Sequence, residues 1–226
     1  MNILVLGGTQ FIGLRIVELL HGGGHLVTVL NRGQTAATLP EGVARLRADR
    51  AEPEQVKAAL RGKQFDAAFH FSGYTPSELR PVIEELEGNV GHYIFCSTVA
   101  VYAPGNIAPI DEDHPLHRAP EAHDYSRDKI LCEDMVSAAF RQRDFPATIV
   151  RPPYVYGPRD PQAHVFGMFA RLAHGRKVLV PGDGLGLVHA VHVDDLAAAF
   201  AALPGNRKAL GQVYNATGPQ AMTIGG

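Results

Sequence analysis

Met1-Asn2-Ile3-Leu4-Val5-Leu6-Gly7-Gly8-Thr9-Gln10-Phe11-Ile12-Gly13 decides how the rest of the chain is read. Four successive apolar residues, Ile3 to Leu6, describe a strand buried on both faces, as in a parallel sheet covered by helices on either side. Glycines follow at 7, 8 and 13, and the helical spacing starts at Phe11. A strand, a glycine turn and a helix in that order bring backbone N–H groups and a helix dipole against a pyrophosphate. Gly7, Thr9, Gln10, Phe11, Ile12 and Gly13 are therefore the first candidate cofactor-binding residues. Glycine usually fills the middle of such a loop, and here Gln10 stands there. Its side chain is expected either to push the pyrophosphate outward or to contribute its amide as a ligand.

The alternation continues outward from this stretch. Apolar runs at 26–30, 65–71, 93–96, 147–150 and 178–180 are separated by helix-like segments at 11–21, 53–61, 76–87, 125–141, 162–174 and 194–203. The order predicts an α/β fold, a doubly wound parallel sheet with right-handed crossovers. Thr75, Pro76 and Glu78 form a capping-box pattern at the head of the 76–87 helix, in which Pro81 should introduce a bend. Residues 102–124 are rich in Pro, His and acidic side chains and show no period. They are expected to form a long loop of the kind that borders a site.

A chain of 226 residues with 46% hydrophobic and 19% charged content suits one large domain, or a domain with an appendage. The expected division is 1–150 for nucleotide binding and 151–226 for the last sheet elements and a partial substrate lobe. A formal charge of −2 argues against broad affinity for nucleic acid or for a membrane surface. No apolar run approaches the roughly 18 to 20 residues needed to span a bilayer. Two cysteines and no leader pattern lead to the expectation of a soluble, cytoplasmic protein in a reducing compartment. The chain reaches Thr223-Ile224-Gly225-Gly226 without a final helix, as expected of a sequence shorter than its natural parent.

The second strand ends in Asn31-Arg32-Gly33. A carboxylate there would hold the adenosine ribose and repel a 2′-phosphate, whereas an amide followed by a guanidinium grips phosphate. NADP is predicted in preference to NAD. Asp49 and Arg50 either border the adenine or form a solvated turn.

Tyr125 and Lys129 stand four apart, on one face of a predicted helix. A phenol titrates near 10 and is a poor base at neutral pH, but a neighbouring ammonium, helped by the positive charge of an oxidised nicotinamide, favours the phenolate and lowers that pKa. The pair alone is a weak signal. Its weight comes from Ser97 and Thr98 at the carboxyl end of the 93–96 strand, the edge at which open α/β sheets bind ligands. A hydroxyl there can donate to a substrate oxygen while Tyr125 moves a proton.

Together these residues resemble an extended short-chain dehydrogenase/reductase of the NAD-dependent epimerase/dehydratase family, over essentially the whole chain. Ser97-Thr98-Val99-Ala100-Val101-Tyr102 is similar to the family's serine/threonine motif, and Tyr125 with Lys129 to its Y-x-x-x-K. Arg151-Pro152-Pro153-Tyr154-Val155-Tyr156-Gly157-Pro158 and His192-Val193-Asp194-Asp195 match two further motifs. The Gly-Gly-Thr-x-Phe-Ile-Gly loop is closer to an atypical subgroup that includes chloroplast RNA-binding relatives. The resemblance implies a Rossmann fold with a small, truncated C-terminal substrate lobe. It also implies an NAD(P)-dependent epimerase/dehydratase or reductase acting on a sugar-like hydroxyl or carbonyl through Thr98, Tyr125 and Lys129. Phe71, Ser72, Gly73, Ser97 and Pro152 join the expected cofactor-binding set, with Tyr125 and Lys129. A dimer through the 76–87 and 125–141 helices is implied as well.

Two departures bear on the substrate. Tyr154 stands where the family places a substrate-contacting asparagine, and Val188 where nucleotide-sugar enzymes carry an arginine. Arg159 can replace that arginine only if its loop folds inward. The alternative reading is a non-catalytic nucleotide-binding regulator or RNA-binding protein on the same scaffold. His114, His117 and His123 are too irregularly spaced for a metal site, and His189 and His192 fall on opposite faces of a strand. Cys96 and Cys132 are read as packing residues, and Asp194-Asp195 as the cap of the following helix.

Overall fold

The chain alternates β1 (Asn2–Leu6), α1 (Phe11–Gly22), β2 (Leu26–Asn31), β3 (Ala44–Arg47), α2 (Pro53–Leu60), β4 (Ala67–His70), α3 (Pro76–Leu86), β5 (Tyr93–Cys96), α4 (Asp124–Arg143) and β6 (Ala147–Arg151). It continues through β7 (Tyr154–Tyr156), α5 (His164–Ala173), β8 (Leu187–Val188), β9 (Ala190–His192), α6 (Val193–Ala201), β10 (Val213–Asn215) and β11 (Met222–Thr223). The computed structural model describes residues 1–105 and 109–225. Residues 106–108 of the expected long loop, and Gly226, lie outside the described residues.

Seven strands form one sheet in the order β10-β6-β5-β4-β1-β2-β3, every pairing parallel. The strand order reverses between β1 and β4, and such a switch point opens a crevice at the carboxyl ends of the strands. Leu6 pairs with Leu30 on one side and His70 on the other, so β1, β2 and β4 end level. Gly7, Asn31 and Phe71 therefore emerge side by side.

Alternation along β1 explains the two layers. Ile3 and Val5 pack with Ile16 and Val17 of α1 and Leu196 and Phe200 of α6. Leu4 and Leu6 join the opposite cluster with Leu60 of α2, Leu79 and Ile83 of α3, and Val136 of α4. All four β1 residues are at most 2% exposed, which is the doubly wound arrangement.

Some boundaries differ from the expected ones. Residues 178–180 do not form a strand, and Leu179 is 92% exposed. An apolar run becomes a strand only where a sheet edge is free to pair with it, and β10 already occupies the edge beside β6. β3 was not among the expected strands because Ala-Arg-Leu-Arg at the opposite edge is exposed and charged. Pro81 stays inside α3, and Glu78 reaches back to the Thr75 N–H at 3.2 Å and the Tyr74 N–H at 2.8 Å. His192, not Asp194 or Asp195, caps α6: its Nδ1 accepts the Asp194 N–H, and both carboxylates fall in the first turn.

The segment after β5 is pinned at both ends of its path. Val99–Val101 form a 3₁₀ turn, and Tyr102 bridges to Leu116. Arg151 at the end of β6 donates to the Glu133 carboxylate of α4 at 3.0 and 2.6 Å, to the Tyr102 hydroxyl at 2.8 Å and to the Glu112 carbonyl at 3.1 Å. Tyr102 in turn donates to Asn215 of β10, whose backbone N–H donates to the Glu112 carboxylate. Both members of the Arg151–Glu133 pair are buried. Among the described residues, no helix is long and apolar enough to cross a membrane.

Candidate active site

A cleft of about 400 Å³ runs along the carboxyl edge of the sheet, from the glycine loop to the start of α4. Gly7, Thr9, Gln10, Phe11, Ile12 and Gly13 line one wall. Asn31, Arg32 and Arg50 line one end, while Phe71, Ser72, Ser97 and Pro152 lie along its length. Thr98, Tyr125 and Lys129 line the same cavity. Three groups from two stretches of chain, the residues just after β5 and the start of α4, thus line one cavity.

The glycine loop has the shape of a cradle. A Cβ on Gly13 would lie 2.2 Å from the Gly7 carbonyl oxygen, and Gly7 itself has φ +89°. Gln10 occupies the cap position of α1 without a side-chain capping hydrogen bond, so it does not cover the first N–H groups of that helix. Phe11 sits at φ 44°, a costly conformation for a bulky side chain and one often found at ligand-binding turns.

Ser97 supplies a second sign of a missing partner. It is 3% exposed, and its Oγ has no hydrogen-bond partner among the described residues. A buried hydroxyl without a partner costs about 1 to 3 kcal/mol unless something satisfies it.

Lys129 is 2% exposed and donates to the carbonyls of Gly73 and Cys96, both at 2.8 Å. Its ammonium lies 4.7 Å from the Phe95 ring centre and 5.2 Å from that of Tyr74. Burial lowers its pKa. Thr98 accepts the Ala100 N–H at 3.1 Å, so its oxygen also caps the 3₁₀ turn. The expected acidification of Tyr125 includes the charge of an oxidised nicotinamide; in the protein alone the phenol is shifted upward. Burial pushes it up to about 12, and a hydrogen bond with Thr98 draws it only partly back. Burial disfavours the charged phenolate and outweighs the Thr98 hydrogen bond.

Other expected residues stand elsewhere. Gly73 does not line the cleft with a side of its own but presents its carbonyl to Lys129. Asp49 lies outside the lining, with its carboxylate 3.9 Å from Arg32 and accepting the Ala51 N–H. Arg159 does not turn inward: its guanidinium pairs with Glu18 of α1, and its backbone is at φ 65°. Tyr154 is 43% exposed on β7, outside the cleft lining. Cys96 borders the cleft as a buried thiol whose pKa is raised to about 11, and Cys132 is buried within α4. His123 caps α4 by accepting the Tyr125 N–H at 3.2 Å, and His114 faces the Ala103 carbonyl.

Tyr74 was not foreseen. Its ring lines the cleft 6.5 Å from that of Tyr125, with the Arg50 guanidinium 5.0 Å from its centre. Its sole signal in the sequence is an aromatic residue just beyond the carboxyl end of β4.

The model of the "NAD dependent epimerase/dehydratase family" matches residues 3–217. The chain is 31% identical to the chloroplast stem-loop binding protein of 41 kDa b from Arabidopsis thaliana, covering 100% of this chain and 61% of the relative. It is 29% identical to the 2′-dehydrokanamycin reductase of Streptomyces kanamyceticus, over 93% of this chain and 60% of that protein. The chain thus spans about three fifths of the length of these curated relatives. Among solved structures, UDP-glucose 4-epimerase from Thermotoga maritima superposes with a TM-score of 0.82 at 24% identity, covering 100% of this chain and 79% of that one. The dTDP-glucose 4,6-dehydratase from Bacillus anthracis, solved with NAD, does so at 0.83 and 21%, covering 99% and 77%. With the family model matched across nearly the whole sequence, and the doubly wound sheet and its cleft in place, the chain belongs to the NAD-dependent epimerase/dehydratase family.

Proposed function

We propose that the chain is the dinucleotide-binding and catalytic part of an NAD(P)-dependent epimerase/dehydratase or reductase acting on a sugar-like hydroxyl or carbonyl. One observation carries this reading: Thr98, Tyr125 and Lys129 line the same cleft as the glycine loop. The residues fit a dinucleotide on two independent grounds. A Cβ at Gly13 would fill the cradle, and the unpartnered Ser97 hydroxyl is buried on the cleft wall. Gly7, Thr9, Gln10 and Gly13 would hold the pyrophosphate, and Lys129 and Ser97 the nicotinamide half. When bound, the dinucleotide supplies the hydride donor or acceptor.

The protein's own groups then divide the remaining work. Thr98 hydrogen-bonds the substrate oxygen, and Tyr125 exchanges a proton with it. Lys129 keeps its ammonium beside that phenol in a water-poor pocket, where a charge acts more strongly than in solvent. At rest the phenol near 12 holds its proton, so a second positive charge is needed before Tyr125 can act as a base. Arg32 is the group placed to receive a 2′-phosphate, although Asp49 competes for it at 3.9 Å. NADP is accordingly the proposed cofactor.

The substrate-side assignments of Tyr154 and Arg159 have less support, because neither lines the cleft. The division into residues 1–150 and 151–226, a dimer through α3 and α4, and a cytoplasmic location belong to the same proposal. The test is titration with NADPH and NADH, followed by nicotinamide fluorescence, which the absence of tryptophan leaves clear. NADPH is expected to bind roughly tenfold more tightly, the weight of one charge-assisted contact. Failure of both dinucleotides to bind removes the reading.

A second reading rests on the likeness to a stem-loop binding protein. It makes the chain a non-catalytic RNA binder on the same scaffold. RNA affinity that falls steeply with added salt, with no dinucleotide binding, would favour it.

A further inference from the structure

Between the two ends of the cleft stands Tyr74, which belongs to none of the motifs of the family. It is held from two directions by one carboxylate. Glu78 Oε2 accepts the Tyr74 backbone N–H at 2.8 Å, while Glu78 Oε1 accepts Arg50 Nε at 2.8 Å. The Arg50 guanidinium then lies 5.0 Å from the Tyr74 ring centre. The Lys129 ammonium is also over this ring, at 5.2 Å. The Tyr125 ring is tilted by 46° to it, 6.5 Å away. Among the described residues Lys129 donates to no carboxylate; its hydrogen-bond partners are the Gly73 and Cys96 carbonyls. The faces of Phe95 and Tyr74 are therefore its aromatic counter-surfaces.

We infer that Tyr74 is a positioning residue: its ring, fixed by Glu78 and Arg50, forms a shared wall that sets the Lys129 ammonium and the Tyr125 phenol relative to each other. The inference rests on the proposed use of Lys129 and Tyr125, but the wall itself can be tested without substrate or cofactor. It acts through ring area and π-face, so phenylalanine keeps the function and an aliphatic side chain does not. The Tyr74 hydroxyl is dispensable in this arrangement. That separates the role from catalysis, for which the hydroxyl would be needed.

The groups that face Tyr125 and Tyr74 are Thr98 and Cys96 from the end of β5, Lys129 from α4, Arg50 from beyond β3, and Glu78 from α3. All remain in a Tyr74 variant. The experiment is the titration of Tyr125 by NMR in protein labelled with ¹³C at tyrosine Cζ, assigned with Tyr125→Phe, in the wild type, Tyr74→Leu and Tyr74→Phe. Tyr125 is already 39% exposed, and loss of the wall opens its phenol further to water, so in Tyr74→Leu the Tyr125 titration should move downward from about 12. Tyr74→Phe should leave it in place. Nicotinamide dinucleotide affinity should fall about tenfold in Tyr74→Leu and recover in Tyr74→Phe, the scale of one desolvated cation–π contact.

Tyr74 is 41% exposed, so both variants should fold, which thermal unfolding will check. A Tyr125 titration unchanged in Tyr74→Leu overturns the inference. So does equal damage from phenylalanine and leucine. If the wild type binds no dinucleotide while the Tyr125 titration still shifts in Tyr74→Leu, the wall stands and the proposed function falls.

Discussion

The sheet and the segment that follows β7 are built to different standards. In β4 and β5 every residue is buried, and Phe69, Phe71 and Phe200 stack across the layer at 5.0 to 6.3 Å. In α5 and the stretch from it to β8, Phe166 is 73% exposed, Phe169 64%, Leu179 92% and Leu185 70%. The same apolar residue types therefore contribute very differently in the two regions. The difference teaches where function can be read with physical support. Chemistry proposed for Thr98, Tyr125 and Lys129 rests on the end of β5 and the first turns of α4, packed on the buried sheet, whereas substrate contacts proposed beyond β7 rest on surface that leaves its apolar side chains in water.

The contrast can be broken by substitution. The largest effect is expected at the buried ion pair. Glu133→Ala leaves the Arg151 guanidinium buried without its carboxylate and should cost about 3 to 5 kcal/mol by urea unfolding. Glu18→Ala, which frees Arg159 at the surface and leaves Arg15 paired with Asp194, should cost at most about 1 kcal/mol. Equal losses would mean that burial does not separate the two pairs. Phe200→Ala should likewise cost about 3 to 5 kcal/mol by opening a cavity beneath Phe69 and Phe71.

The smaller effects sharpen the comparison. His70 is buried beside Lys129, hydrogen-bonded to the Tyr93 hydroxyl at 2.7 Å, with its pKa lowered to about 3, first by burial and then by the Lys129 and Arg50 charges. The unfolded chain takes up this proton near pH 6.5 and the folded protein only near 3. Stability is therefore fully present above 6.5 and is lost as the pH falls toward 3, by about 1.4 kcal/mol per pH unit. His70→Asn should flatten the dependence by that slope between pH 6 and 4. An unchanged slope would show that His70 is not held neutral. Phe166→Ala, in the exposed region, should change stability by no more than about 0.5 kcal/mol.

Much of the sheet was legible because its signal is local. Ile-Leu-Val-Leu at β1 and Tyr-Ile-Phe-Cys at β5 are apolar on consecutive residues, and only a strand covered on both faces needs that. Edges carry no such signal. β3 alternates arginine with apolar residues, and β10 is three residues long. The Lys-Val-Leu-Val run ending at Val180 has the composition of a strand but no edge to join. The candidates Gly7, Gly13, Tyr125 and Lys129 come from spacing and Thr98 from its place at a strand end and the family motif, and all five line the cleft. Tyr74 was not among the candidates, because its place depends on Arg50 and Glu78, contacts that sequence distance hides. Which way Arg159 turns was open for the same reason: its partner, Glu18, lies 141 residues away. The upward shift of the Tyr125 phenol in the protein alone reflects a quantity no spacing encodes, the cost of burying the phenolate.

The central claim is that one cleft places a nicotinamide against Tyr125. The most direct measurement is the nuclear Overhauser contact between the nicotinamide H4 protons of bound NADPH and the tyrosine ring protons of labelled protein. Tyr125 is assigned by its loss in Tyr125→Phe. The account predicts a contact that vanishes in that variant while NADPH stays bound. Bound NADPH whose nicotinamide makes no contact with Tyr125 would contradict it.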